Sequence, residues 1–249
     1  MIIDFHTHLG RGERLSDTYQ IDQTAADLLA EMGEAGVDTS CVMGVAVEDY
    51  AANNREIYEA AQAHPGRIIG FARANLHDEP KALAEIRRCL DEYGFRGVKI
   101  HPTMGDGFPT RALMELLSEY GCSLLLHTHA KDEVIDAYAQ LARAYPQVPV
   151  VMGHMGAYGA FWPGFAKLCA VEARQLPNLY LDTAFVFMHR WIKLAAEICG
   201  AEKILFASDA PVVHPAVSRK AIEVAGFTDA ELALILGGNA ARLLKLDES

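Results

Sequence analysis

Short apolar runs alternate along the chain with longer segments in which apolar residues recur at helical spacing. The apolar runs have the length and composition of β-strands buried in a sheet. Eight strands are predicted, over residues 2–8, 39–45, 68–74, 95–100, 122–126, 148–152, 179–182 and 203–207. The first of these runs ends in two histidines, His6 and His8.

The segments between the strands predict helices. Leu28, Met32 and Ala35 share one helical face, and Gly36 is expected to end that helix. Asn53 is a plausible N-cap for the next one. Further helices are predicted over residues 53–63, 80–92, 113–120, 132–144, 191–198, 229–236 and 239–246, with another that ends near residue 175.

Strands that alternate with helices are typical of α/β proteins, and eight such units favour a (β/α)8 TIM barrel. A doubly wound open sheet is the alternative, but no Gly-rich phosphate loop follows the first strand. No linker, repeat or low-complexity stretch interrupts residues 1–249, so a single domain is expected.

Composition and charge narrow the class of protein. The chain has 249 residues, is 51% hydrophobic and carries a formal net charge of -11, which disfavours nucleic acid as a partner. No apolar run reaches the length of a membrane span, and no leader peptide is expected before the first strand. The cysteines are odd in number and have no paired spacing. A cytoplasmic protein without disulfides is expected, whose partner is a small molecule and not nucleic acid or a membrane, and a homodimer is compatible with the sequence.

Ionisable residues cluster at the predicted strand ends. In parallel barrels the carboxyl ends of the strands carry the catalytic groups, so this placement indicates one active site. The residues at those ends are His6, His8, Arg73, Lys99, His101, His127, His129, His154, Asp182 and Asp209.

His6 and His8 are two residues apart on one strand. Successive strand side chains point to opposite faces, so both imidazoles lie on the same face and converge on one point. With an acid and more histidines delivered from other strand ends, they would make a divalent metal site.

Six motifs, in order along nearly the whole chain, resemble the amidohydrolase superfamily. They are most similar to its amidohydrolase-related branch, which contains amino-carboxymuconate-semialdehyde decarboxylase. The motifs are Asp4-Phe5-His6-Thr7-His8, Gly97-Val98-Lys99-Ile100-His101-Pro102, Leu126-His127-Thr128-His129, Gly153-His154-Met155-Gly156, Leu205-Phe206-Ala207-Ser208-Asp209-Ala210-Pro211 and Gly238-Asn239-Ala240-Ala241-Arg242-Leu243.

The resemblance implies a ligand set and a chemistry. It makes His6, His8, His127 and Asp209 the ligands of one divalent metal, with zinc expected first and manganese second. His154 would be the acid/base group, and Asp209 could also receive the proton from a metal-activated water. The function expected first is metal-dependent hydrolysis of a small, carboxylated organic substrate.

Three alternatives stay open at this point. A non-oxidative decarboxylase would use the same ligands. A TatD-like DNase shares the opening His-x-His, but it carries an acidic motif where this chain has Lys99 and His101, and the net charge disfavours DNA. A binding protein on an inactive barrel is disfavoured because the ligand set is intact.

Several residues have competing interpretations. Arg73 either grips a substrate carboxylate or pairs with an internal acid such as Asp4 or Asp49. His101 is expected to line the pocket beside Lys99, which is either a paired buried charge or a carboxylated bridge between two metals. The roles of His129 and His214 stay open, and the polar stretch 9–21 is long enough for a lid.

Overall fold

The structure is a computed structural model that describes residues 1–11, 22–47, 50–156 and 163–246. Within these residues nine strands form one sheet. The strands are β1 (Ile3–Arg11), β2 (Asp22–Gln23), β3 (Thr39–Gly44), β4 (Ile68–Arg73), β5 (Gly97–Ile100), β6 (Ser123–Leu126), β7 (Val150–Met152), β8 (Leu179–Asp182) and β9 (Ile204–Leu205).

The sheet curls into a closed barrel of eight parallel strands. From β3 to β9 each strand pairs in parallel with the next, and β1 pairs in parallel with β3, while the short β2 adds to β1 in antiparallel fashion. The seam between β1 and the chain that follows β9 is closed by backbone bonds from Phe5 to Phe206 at 2.9 Å and from Asp209 to His6 at 2.9 Å. The predicted α/β barrel is therefore confirmed.

Helices cover the outside of the barrel. Where they start and stop follows local chemistry: Thr24 caps the first helix through a capping box with Asp27, and Gly36 ends it in the left-handed conformation. The helices are α1 (Ala25–Ala35), α2 (Tyr50–Ala63), α3 (Glu79–Asp91), α4 (Arg111–Tyr120), α5 (Asp132–Ala144), α6 (Pro163–Gln175), α7 (His189–Cys199), α8 (Pro215–Glu223), α9 (Asp229–Ala233) and α10 (Asn239–Leu244).

Three local predictions need correction, and one helix was missed. The strand β1 does not end at His8 but continues to Arg11, so the start of the expected loop 9–21 is sheet, and residues 12–21 lie outside the described residues. Asn53 is not an N-cap, because α2 begins at Tyr50. The helix α8 was not predicted. The expected helix 229–236 ends at Ala233 and is followed by a π-helical turn, Leu234–Gly238.

Apolar side chains fill two layers. One set alternates along the strands and fills the barrel interior, where Phe5 and Phe71 meet edge to face with ring centroids 5.3 Å apart. The other set lies between the sheet and the helices. Among the described residues no helix is both long and apolar enough to cross a membrane.

Candidate active site

The strand ends meet around one cavity at the carboxyl end of the barrel. Every residue that the sequence predicted as catalytic, metal-binding or substrate-binding lines this cavity, together with Lys99. The lining residues are His6, His8, Val45, Ala46, Arg73, Lys99, His101, Met104, His127, His154, Asp209 and Val212. The cavity lining does not include His129 or His214.

Contacts on both ring nitrogens fix the tautomer of His6. Its Nδ1 lies 2.9 Å from the carboxylate Oδ2 of Asp182, and its Nε2 lies 3.0 Å from Nζ of Lys99. A carboxylate only accepts and an ammonium only donates, so the proton of neutral His6 is on Nδ1. Burial lowers the pKa of His6 well below its ordinary value, which favours this neutral form. The lone pair of Nε2 therefore faces the cavity side occupied by Lys99.

His8 has the same arrangement. Its Nδ1 lies 3.3 Å from the carbonyl oxygen of Gly44, which can only accept, so the proton is again on Nδ1. Its Nε2 then faces Oδ1 of Asp209 at 3.3 Å. Two acceptor atoms at that distance repel each other unless a proton or a metal cation lies between them.

His6, His8 and Asp209 make a candidate metal site. One donor atom from each lies within 4.8 Å of the others, and all three residues are buried. Although burial by itself raises the pKa of Asp209, the nearby imidazoles of His8, His154 and His6 lower it overall, so this carboxylate is ionised at neutral pH. The described residues also bring together His6, His154 and Asp182 as a second group of this kind.

His127 lies near this group but is not one of the three residues in it. Its Nδ1 lies 2.9 Å from Nε2 of His154, and its ring stacks on that of His101 with centroids 3.6 Å apart. His154 in turn places its Nδ1 3.0 Å from the carbonyl oxygen of Ala184. Because that oxygen accepts, His154 donates from Nδ1, and its Nε2 accepts a hydrogen bond from Nδ1 of His127. The proton of His127 is therefore on Nδ1, and its Nε2 carries the lone pair that could coordinate a metal.

Two of the predicted site residues have left-handed backbones. His154 has φ 59° and Asp209 has φ 71°, and Met155 beside the former has φ 50°. Residues other than glycine adopt this region at a cost and do so mostly where the surrounding structure holds them. The carboxylate of Asp182 holds one of them by accepting from the backbone nitrogen of His154 at 2.7 Å.

Arg73 is paired inside the protein, but with neither of the two acids named from the sequence. Its guanidinium makes a bidentate salt bridge with Asp106, at 2.8 Å from Nε and 3.2 Å from Nη2, and it donates to the carbonyl of Gly44 at 3.0 Å. The Arg73 guanidinium also lies over the ring of Tyr50, whose hydroxyl donates to Asp106. Asp4 is instead bound to backbone at the barrel seam, and Asp49 lies outside the described residues.

Lys99 and His101 share the cavity with these groups. Lys99 is fully buried, and burial lowers its pKa to about 8. His101 donates its backbone nitrogen to Asp106 at 2.8 Å, and burial lowers its side-chain pKa as well. A neutral imidazole therefore lines the cavity beside a cation that can attract an anionic substrate.

The roles of Asp106, Tyr50 and Asp182 were missed or underestimated at the sequence level. Asp106 follows strand β5 in a Gly-Asp-Gly loop, and Tyr50 begins a helix, so neither has a strand-end position that would mark it. Asp182 does end a strand, but its contact with His6 joins residues 176 positions apart in the sequence. No local pattern carries that information.

An eight-stranded α/β barrel with histidines and an aspartate gathered at the carboxyl ends of its strands defines the class of protein. The chain belongs to the amidohydrolase family, since the family model Amidohydro_2, described as Amidohydrolase, matches residues 3–246.

Three relatives illustrate the similarity. The γ-resorcylate decarboxylase of Polaromonas sp. (strain JS666 / ATCC BAA-500) is 22% identical over 288 aligned positions, covering 95% of this chain and 87% of the relative. A crystal structure of dihydroxybenzoic acid decarboxylase from Polaromonas sp. JS666, with bound manganese and the inhibitor 2-nitroresorcinol, has a TM-score of 0.74 at 19% identity, covering 100% of this chain and 98% of that one. For 4-oxalomesaconate hydratase from Rhodopseudomonas palustris the TM-score is 0.73 at 20% identity, with 100% and 97% covered.

Proposed function

We propose that this enzyme is a metal-dependent carboxy-lyase that removes CO2 from a small carboxylated aromatic compound. The observation that carries the proposal is the convergence of His6 Nε2, His8 Nε2 and Asp209 Oδ1 in one buried cavity, with the ring protons of both histidines on the far nitrogens. Such a donor set suits a divalent cation.

The relatives favour decarboxylation over the hydrolysis expected first from the sequence. One is named for decarboxylating γ-resorcylate, and another is a dihydroxybenzoic acid decarboxylase that holds manganese and a nitroresorcinol. Both names describe carboxylated phenols or their analogues. We therefore place the decarboxylase first and the hydrolase second, within a single domain that spans residues 1–249.

The proposed metal ligands are His6, His8 and Asp209, with His127 as the fourth. Two or three imidazoles and one carboxylate suit zinc, and manganese is favoured by its presence in the related decarboxylase. When bound, a divalent cation would supply a positive charge that orients the substrate and stabilises negative charge developing on it.

The chain's own residues would bind the substrate and handle the proton. Arg73 and His101 line the cavity and are the proposed substrate-binding residues, beside the buried charge of Lys99. In the reaction the bond from the ring carbon to the carboxylate breaks, CO2 leaves, and the electron pair left on carbon takes up a proton. His154 and Asp209 line the same cavity and are the proposed groups that take up a proton from water and pass it to this carbon.

The test combines metal analysis with a paired substrate screen. Purified protein should contain about one equivalent of zinc or manganese, and much less in the double variant His6→Ala/His8→Ala. The metal-loaded protein is then offered hydroxybenzoates such as 2,6-dihydroxybenzoate, and the methyl esters of the same acids. Release of CO2 from the free acids, with the esters left intact, is the expected result.

Three outcomes would contradict parts of the proposal. Ester hydrolysis without CO2 release would favour hydrolysis as the function. Full metal content in the double variant would show that His6 and His8 are not metal ligands. Two equivalents of metal would favour the arrangement in which a carboxylated Lys99 bridges two ions.

A further inference from the structure

The buried carboxylate of Asp182 connects two parts of the candidate site. Its Oδ2 accepts from Nδ1 of His6 at 2.9 Å, and its Oδ1 accepts from the backbone nitrogens of His154 at 2.7 Å and Ala184 at 3.1 Å. Asp182 has no exposed surface and ends strand β8, which β9 separates from β1 around the barrel. It is not among the residues proposed to bind metal or substrate.

We propose that Asp182 is a positioning residue that makes His6 a metal ligand by fixing its ring proton on Nδ1. This inference rests on the metal site of the proposed function. A neutral imidazole can coordinate only through the nitrogen without a proton, and a partner at the other nitrogen decides which one that is. With the proton held by Asp182, the lone pair is on Nε2, the atom that Lys99 contacts at 3.0 Å and that lies beside His8 and Asp209.

Both oxygens of the Asp182 carboxylate accept hydrogen bonds, so an amide in its place cannot make the same contacts. In Asp182→Asn the amide oxygen must occupy the Oδ1 position, because two backbone N–H groups donate there. The amide NH2 then faces Nδ1 of His6 and donates to it. The proton of His6 is forced onto Nε2, the atom that should bind the metal. An isosteric change therefore switches the tautomer without changing the shape of the site.

The neighbouring residue offers a matched control. Thr183 is also buried and directly follows β8, but among the described residues its hydroxyl bonds only to the backbone of Ala207. It donates to the oxygen at 3.0 Å and accepts from the nitrogen at 2.9 Å. Thr183→Val is isosteric, removes buried hydrogen bonds and touches none of the proposed ligands. Any general loosening of this strand end affects both variants.

The affinity for Zn²⁺ is measured for wild type, Asp182→Asn and Thr183→Val by competition with a chromogenic chelator. Asp182→Asn should weaken binding by about 10–100-fold, the usual scale for such supporting residues, with Thr183→Val close to wild type. Equal affinities in wild type and Asp182→Asn would overturn the inference. A wild-type protein that binds no Zn²⁺ would overturn the proposed metal site as well.

A second measurement needs no variant, so it tests the proposal even if Asp182→Asn does not fold. In the zinc-loaded wild type, ¹⁵N-detected ring correlations report which nitrogen of each histidine carries a proton. His6 should show its proton on Nδ1. A proton on Nε2 of His6 would overturn the role of Asp182. Failure of decarboxylation with intact Zn²⁺ binding would instead count against the proposed reaction and leave Asp182 unaffected.

Discussion

At the scale of single residues, Tyr50 contributes to the stability of the fold through its hydroxyl group. It donates to the buried carboxylate of Asp106, and burial raises the pKa of Tyr50 above its ordinary value of 10.0, an effect that Arg73 opposes and Asp106 reinforces. Tyr50→Phe should lower the free energy of unfolding at pH 7 by about 1.5–3 kcal/mol, the range for hydrogen bonds to charged groups. Urea denaturation measures this loss.

The same residue predicts a pH dependence. The unfolded tyrosine loses its proton near pH 10, whereas the folded one keeps it, so the unfolded state binds fewer protons above that pH. The contribution of Tyr50 is therefore complete below about pH 10 and declines as the pH rises further. The stability difference between wild type and Tyr50→Phe should shrink at pH 10.5 relative to pH 7.

Tyr58 provides the matched control on the same helix. Its ring stacks on Tyr93 with centroids 4.2 Å apart, and its hydroxyl makes no hydrogen bond to the described part of the chain. Tyr58→Phe should leave stability nearly unchanged at both pH values. Equal losses in Tyr50→Phe and Tyr58→Phe would mean that the bond to Asp106 contributes nothing.

His154 is expected to be catalytic, and its contacts sharpen the test. Its Nε2 already accepts from His127, so a structural role through His127 competes with proton transfer. His154→Asn should reduce kcat by about a hundredfold or more while sparing the fold, the scale for general acid–base groups. Metal content separates the two roles: a large loss of metal in His154→Asn would make this residue a support for His127.

At the scale of elements, two glycines should respond to alanine with opposite signs. A Cβ at Gly33 in α1 would meet nothing within 4 Å, so Gly33→Ala should raise the free energy of unfolding by about 0.5–1 kcal/mol. A Cβ at Gly70 in β4 would clash with the ring of Phe95, so Gly70→Ala should lower the free energy of unfolding by about 1–3 kcal/mol. Thermal denaturation of both variants checks the signs, and a stabilising Gly70→Ala would contradict the packing of Phe95.

Elements were predictable from sequence where the local pattern agreed with the tertiary environment. Helix Asp132–Ala144 and strand Leu179–Asp182 have the expected bounds, because each combines a clear period with polar ends. The predicted first strand ended too early, at His8, because two histidines after an apolar run resemble the end of a strand. In the structure the strand continues past them to Arg11. The helix Pro215–Glu223 was missed; it begins at the proline itself, with His214 as its cap.

The candidate site was predictable as a set of residues but not as a network. Strand-end positions identified His6, His8, His127, His154 and Asp209, since side chains there face a common mouth. Which of them contact each other depends on the closure of the barrel. The pairing of Arg73 with Asp106, and the bond between His6 and Asp182, join distant segments and have no local signature.

At the scale of the whole molecule, the proposed ligands lie on both sides of the barrel seam. His6 and His8 belong to β1, and Asp209 follows β9 and donates its backbone nitrogen to the oxygen of His6. A cation held by all three would add to the few bonds that close this seam. Metal should therefore bind the folded state and not the unfolded one, and so stabilise the protein.

Removal of the metal should lower the melting temperature. At a free metal concentration near a hundred times the dissociation constant, binding contributes about 2.7 kcal/mol, which corresponds to roughly 5–10 °C for a chain of this size. Scanning calorimetry with and without a chelator measures the shift. The variant His6→Ala/His8→Ala should show no shift, and an equal shift in that variant would place the metal elsewhere.

The seam also has a consequence for the order of events during biosynthesis. About 200 residues separate His8 from Asp209, and ribosomes add about 5–20 residues per second, so roughly 10–40 s pass between the synthesis of these two proposed ligands. During that interval β1 lacks the segment after β9 that closes the seam, and its two histidines lack the carboxylate of Asp209. A nascent chain released before Asp209 therefore carries an incomplete set of ligands on an open sheet, and metal capture by the complete set belongs to the last stage of maturation.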